Sequence, residues 1–253
     1  MLKFSTVIWV ILGAKSPSCK AIQLHPAIFL MIINTMLTGT IASAILESQP
    51  PVHQMPIIVA AVAYQGLGWV VSMLLLAWHL ASLLELGLGE PSHRFGLFMP
   101  VASSGYVMVC LMGCSRHLPR DYGYFAQHPA AVEMLQVVAL WASIFLWLVT
   151  FWIFALACIA TMPLLWPFRN GRSGPRVHFT PSWWGLVFPN VGFATATGYT
   201  GAELQSPAIE WVATVMTILL FAAWLMTLVF HAQAIITGQI MWPGKDEDAV
   251  KSD

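Results

Sequence analysis

Six apolar runs, each roughly long enough or more than long enough for a bilayer-spanning helix, take up most of this chain. They are Ile28 to Ile45, Ile57 to Leu84, Phe95 to Met112, Val132 to Leu165, Trp183 to Tyr199 and Ile209 to Met241. About 20 apolar residues in a helix cross the hydrocarbon core. Turn chemistry closes the runs at Gln49-Pro50-Pro51, Gly89-Glu90-Pro91, Pro119-Arg120-Asp121, Asn170 to Pro175 and Gln205-Ser206-Pro207. Charged residues make up 9% of the sequence, against about 25% in a soluble domain. So little charge cannot cover a water-facing surface, and the reading is an all-α integral membrane protein. The leading run Phe4 to Ala14 is too short to span and reads as an interfacial piece or the remnant of a truncated helix. The chain thus divides into an N-terminal segment (1–24), a membrane domain (25–242) and a cytoplasmic tail (243–253).

The runs alternate in kind. The second, fourth and sixth are long and rich in Leu, Ile, Phe and Trp, and must tilt or project beyond the bilayer. The first, third and fifth are shorter and carry small and polar residues. These are Asn34, Thr35, Thr38, Gly39, Thr40 and Ser43; then Pro100, Ser103, Ser104 and Gly105; then Gly185, Pro189, Asn190, Gly192, Thr195 and Thr197. Repeated helical hairpins with a long outer wall and a short inner set account for this alternation. Proline removes a backbone hydrogen bond, so Pro100 and Pro189 are expected to break the inner helices where buried protein or a cavity can satisfy the freed carbonyls.

Lys and Arg give an orientation. With six spans, one side receives Lys3, Lys15, Lys20, Arg94, Arg169, Arg172, Arg176, Lys245 and Lys251, and the other only Arg116 and Arg120. This bias puts both termini in the cytoplasm. No span centre holds Asp, Glu, Lys or Arg. A path through such helices is built from hydroxyls, amides, backbone dipoles and aromatic faces. A ring of carboxylates would favour cations; an uncharged path is compatible with anions, and Arg169, Arg172 and Arg176 would either concentrate anions at the rim or simply mark the cytoplasmic side. The balanced formal charge argues against nucleic acid as a partner. No nucleophile elbow, zinc-binding His-Glu-x-x-His or phosphate loop occurs, so neither an enzyme nor a cofactor is expected. Cys110 and Cys114 share a helix face without His or carboxylate company and read as buried thiols rather than metal ligands.

Phe188 falls on one helical stripe with Gly192 and Thr195, next to Pro189. A bulky ring beside small residues at a break can plug a narrow path, and it can equally serve packing. The small residues of the inner helices carry the same two readings, because glycine, serine and threonine also permit close helix contact. His79 and His231 read as interfacial side chains that snorkel, and Glu203 and Glu210 as solvated flanks of an external turn.

Ordered along the chain are Gly39-Thr-Ile-Ala-Ser43 with Gln49-Pro-Pro51; Gln65-Gly-Leu-Gly68; Leu118-Pro119 with Asp121-Tyr-Gly-Tyr-Phe125 and His128-Pro129; Trp183-Trp184 with Val187-Phe-Pro-Asn190 and Gly192-Phe193; and Glu210-Trp-Val212 with Met216-Thr217. In this order the chain resembles the C-terminal part of the tellurite-resistance/dicarboxylate transporter family of the voltage-dependent anion channel superfamily, in its fungal malic acid transporter branch. The resemblance covers roughly residues 25 to 242.

The resemblance implies ten helices in five hairpins, with odd-numbered helices ringing a pore and even-numbered ones around them. Only the last six helices are expected here, which leaves the ring open on one side. It implies transport of small organic anions, most of all C4-dicarboxylates such as malate, across the plasma membrane. Sulfite or inorganic anion efflux, or a truncated non-conducting membrane protein, are the alternatives. In channel relatives a phenylalanine on the ninth helix occludes the pore, and Phe188 is the matching residue. The expected lining is Thr38, Gly39, Ser43, Pro100, Ser103, Ser104, Pro189, Asn190, Gly192 and Thr195. Membrane lipid and a homo-trimer are the partners that resemblance suggests. Two positions depart from the malic acid branch: Asn34 stands where proline is usual, and Ser103-Ser104 where a Pro-Pro pair is usual.

Overall fold

The computed structural model of the chain describes residues 28–165 and 179–240. Helix α1 (Ile28–Ile45) runs into a 3-10 turn, Leu46–Ser48. Helix α2 is Pro51–Leu86, and α3 (Met99–Arg116) follows a 3-10 segment at Pro91–Phe98. A short α4 (Gly123–Gln127) precedes the long α5 (Pro129–Leu165). A second 3-10 segment, Pro181–Leu186, leads into α6 (Phe188–Glu203), and α7 is Pro207–Ile236. The first expected span coincides with α1, and the others match within a few residues.

Proline sets where several helices start. Pro51, Pro100, Pro189 and Pro207 all lie in the first turn of their helices, where a missing N–H leaves no intrahelical bond unmade. Pro100 and Pro189 therefore do not kink continuous helices. They mark the places where a 3-10 segment gives way to α-helix. At the other end of α2, Gly87 adopts a φ of 78°, the left-handed stop that glycine tolerates.

Among the described residues, five helices are long and apolar enough to cross a membrane. The fifth expected span is divided: α6 alone is only 16 residues long, and the 3-10 segment before it completes the stretch. At about 1.5 Å per residue, the 36 residues of α2 extend roughly 54 Å, well beyond a hydrocarbon core of about 30 Å.

Burial separates an inner helix from an outer layer. In the most apolar stretch of the third span 94% of residues are buried, against 22% in α2, 33% in α5 and 11% in α7. Helix α3 is wrapped by α1, α2, α5 and α6, and α7 packs on α6. Phe29, Ile33, Met36, Phe98, Met108 and Phe193 form the main apolar core around α3. The outer helices expose large apolar side chains such as Leu74, Phe145 and Ile218. Lipid is the solvent that tolerates so broad an apolar surface. The long-outer, short-inner division read from the sequence is thus the observed one for α3 against α2, α5 and α7.

Small residues let the inner helices touch. A Cβ added at Gly105 would lie 2.9 Å from the backbone nitrogen of Phe193 on α6. One added at Gly113 would lie 2.5 Å from the Cβ of Ser43 on α1. The backbones approach closely at these points because no side chain intervenes.

Candidate functional site

The site is built at the junction between the second 3-10 segment and α6. Val187 (φ −97°, ψ −68°) carries the chain from one helix type to the other, and Phe188 is the first residue of α6. Three interactions hold this junction. The hydroxyl of Tyr106, on α3, donates to the Phe188 carbonyl at 2.9 Å. The Tyr106 and Phe188 rings meet at 5.4 Å with planes tilted 41°, within the range of favourable aromatic pairs. The Asn190 side-chain Nδ2 donates to the Leu186 carbonyl at 2.7 Å and stitches the 3-10 segment to the α-helix.

Gly192 is what admits the tyrosine. A Cβ at that position would lie 3.0 Å from Tyr106 Cδ1, so the ring lies against a bare patch of helix one turn beyond Phe188. Tyr106 itself is 5% exposed, whereas Phe188 is half-buried. Behind the junction, an apolar cavity of about 260 Å³ is lined by Leu186, Asn190, Phe193 and Ala194 together with residues of α5 and α7.

Two stripes at helical spacing are left uncovered. On α1, Asn34, Thr38, Ile41 and Ile45 are exposed. On α6, Phe188 and Thr195 are half-buried, and Val191 and Ala202 are exposed. Neither stripe carries a charge, and α3 stands between the two helices and contacts both.

The structure gathers some of the expected residues and separates others. Phe188, Pro189, Asn190 and Gly192 share the first turns of α6 beside Tyr106. Pro189 and Asn190 are buried. Thr38 is exposed, while Gly39 is buried against Gln65 and Cys110. Ser43 is buried and donates to the Thr40 carbonyl at 2.7 Å. Pro100 is buried and borders a larger apolar cavity, about 570 Å³, between α2 and α5. The Ser103 and Ser104 hydroxyls are fully buried, with no hydrogen-bond partner among the described residues. An orphaned buried hydroxyl is costly.

At the far end of α3 lies a charge pair that sequence reading missed. Arg116 Nε meets Glu203 Oε1 at 2.7 Å, its Nη2 donates to the Tyr199 carbonyl at 3.2 Å, and its guanidinium sits 4.4 Å from the Tyr199 ring centroid. Glu203 is thus paired rather than simply solvated. No sequence signal links residues 87 positions apart. Tyr106 was also missed, although it is the one tyrosine of the third run, and a hydroxyl buried there needs a partner.

Neither histidine snorkels. His79 is 3% exposed and meets the edge of Phe29 at 5.8 Å, because α2 turns Ser72, Leu76 and His79 inward on one face. His231 accepts a hydrogen bond from Trp184 Nε1 at 3.3 Å and stacks on Phe179 at 5.2 Å. Cys110 and Cys114 are buried, with sulfurs 3.9 Å apart. Among the described residues, no group of three His, Cys, Asp or Glu side chains could hold a metal. The basic rim at Arg169, Arg172 and Arg176 lies outside the described residues, as do the N-terminal segment and the tail.

The model of the voltage-dependent anion channel family matches residues 1–232. The chain is 28% identical over 224 residues to the "Malic acid transport protein" of Schizosaccharomyces pombe, a match that covers 88% of this chain and 50% of that protein. It is 27% identical over 223 residues to the "Putative malic acid transport protein" of the same yeast, with the same 88% and 50% coverage. The chain spans about half the length of the curated relatives it matches. No solved structure matches it. The family and these relatives are channels and transporters rather than enzymes. With nearly its whole length matched and its long apolar helices wrapped around a buried inner one, the chain belongs to the voltage-dependent anion channel family.

Proposed function

We propose that this chain conducts small organic anions across a membrane, with C4-dicarboxylates such as malate as the preferred substrates. The path runs along the uncharged, uncovered flanks of α1 and α6, and Phe188 is its constriction. One observation carries this reading: a half-buried phenylalanine sits at a helix break, held against the innermost helix, on a stripe continued by Val191 and Thr195. A wall without carboxylates has no ring to attract cations. Hydroxyls at Thr38 and Thr195 and the amide of Asn34 can hydrogen-bond a carboxylate without trapping it as a fixed cation would.

The family match supports an anion as the solute, and the names of the two yeast relatives support malate. In this reading the homo-trimer sits in the plasma membrane with both termini in the cytoplasm, in keeping with the nine-to-two division of Lys and Arg.

The test is uptake by vesicles reconstituted with the full chain. Radiolabelled malate is expected to enter above the level of protein-free vesicles, and unlabelled malate should compete for entry better than sulfite. Stronger competition by sulfite would reassign the substrate to inorganic anions. Uptake no greater than in empty vesicles would contradict the proposal.

A further inference from the structure

We infer that Tyr106 is the latch of the Phe188 constriction: it positions the first turn of α6, and its release lets that turn swing into the cavity behind it. The inference rests on the reading of Phe188 as a gate and adds the residue that holds the gate shut.

Tyr106 touches the gate in two separable ways. Its hydroxyl binds the backbone carbonyl of Phe188 at 2.9 Å, and its ring lies 5.4 Å from the Phe188 ring. The first contact fixes the backbone and the second fixes the side chain. A carbonyl oxygen has two lone pairs, so the tyrosine can bind it without displacing the helix's own hydrogen bond. The donor side of the bond is shielded, since Tyr106 is 5% exposed. Away from water, releasing the hydroxyl leaves it unsatisfied, which favours the closed arrangement.

The anchor on the other side is rigid. Tyr106 neighbours Gly105, where α3 and α6 are so close that a Cβ would meet the Phe193 nitrogen at 2.9 Å. Helix α3 is buried on nearly every face. The latch residue therefore belongs to an element held on nearly every face, and the gate to the first turn of its neighbour. Val187 is the hinge, where the helix type changes.

The hinge also has somewhere to go. The cavity of about 260 Å³ borders Leu186, Asn190 and Phe193, on both sides of the junction. An apolar void of about 150 Å³ accepts a benzene ring, so a ring-sized shift of this turn fits without repacking the outer helices. Ala223 of α7 lines the same cavity from the far side.

The test uses Tyr106→Phe, which removes the hydroxyl and keeps the ring. Two readouts are taken on the full chain in vesicles: malate flux, and the labelling rate of a Thr195→Cys variant with a water-soluble thiol reagent. Losing one net hydrogen bond corresponds to about a threefold to tenfold rise in both. In a Phe188→Ala background, Tyr106→Phe is expected to add nothing, because the latch then has no gate to hold. A merely structural role would act equally in both backgrounds. Filling the cavity with Ala223→Phe is expected to suppress the Tyr106→Phe gain.

If Phe188→Ala raises flux but Tyr106→Phe changes neither flux nor labelling, the latch is overturned and the gate stands. If both variants are silent in both readouts, the gate falls and the latch with it. A Tyr106→Phe gain that survives Ala223→Phe overturns the swing into the cavity.

Discussion

Replacing Phe188 with alanine is expected to raise malate flux through reconstituted protein by roughly tenfold or more. The estimate follows from what holds the ring. Phe188 is half-buried against Tyr106 at 5.4 Å. Full burial of a phenylalanine is worth about 1.5–3 kcal/mol, and each 1.4 kcal/mol of barrier is tenfold in rate. If displacing the ring is the barrier to permeation, deleting it removes a large part of that cost permanently. Substitution by Leu or Met should give an intermediate flux, since these side chains fill part of the same space. The measurement is initial uptake normalised to reconstituted protein. A flux unchanged within twofold would mean that the ring packs and does not gate.

The second large effect is on assembly rather than transport. Gly105→Val should strongly destabilise the folded protein. A Cβ at residue 105 would lie 2.9 Å from the Phe193 nitrogen and 3.1 Å from the Gly192 carbonyl carbon. Those are backbone atoms, so no side chain can rotate away to make room. Overpacking a well-filled site typically costs about 1–3 kcal/mol, and here two more methyl groups are pressed into a contact that is already full. The control is Gly66→Ala on α2. No atom lies within 4 Å of the added Cβ there, and alanine is favoured over glycine inside a helix by about 0.5–1 kcal/mol. Thermal stability in detergent should therefore fall sharply for the first variant and hold or rise slightly for the second. Equal behaviour of the two would show that the α3–α6 contact is looser than the geometry indicates.

These two positions also show how far the sequence alone could reach. The helices were legible because their code is local: apolar runs of spanning length, closed by proline and glycine. Pro51, Pro100, Pro189 and Pro207 each lie within a turn of where a helix starts. The inner role of α3 and the outer roles of α2, α5 and α7 were also legible, because small residues let neighbouring helices pack closely on α3. What the prolines do was less so. Pro100 and Pro189 were expected to break the inner helices, but at the first turn of a helix a proline sacrifices no bond, and they mark where a 3-10 segment gives way to α-helix instead. The direction of each small side chain was not legible at all. Gly39, Gly105, Gly113 and Gly192 are all at contacts between helices, whereas Thr38 on the same helix as Gly39 is exposed. Sequence spacing gives the periodicity of a helix but not which neighbour covers which face. Pairings between distant residues lay furthest out of reach. Tyr106 and Phe188 are 82 positions apart and Arg116 and Glu203 are 87 apart, and only the folded arrangement of α3 against α6 brings them together.

The histidines make the same point from the other side. A lone histidine near a helix end reads as interfacial, since its polar tip can reach water. His79 instead lies among the residues that α2 turns toward the interior. The helix face, rather than the distance from the helix end, decided its surroundings.

The central claim is that the exposed flanks of α1 and α6 meet water while the exposed faces of α5 and α7 meet lipid. Single cysteines at Thr38, Val191 and Thr195, and at Phe145 and Ile218, test it in a background with the native cysteines replaced by alanine. Each variant is treated in vesicles with a membrane-impermeant thiol reagent. Labelling at positions 38, 191 and 195, with silence at 145 and 218, is the predicted result. Labelling at 145 and 218 with protection at the other three would contradict the account.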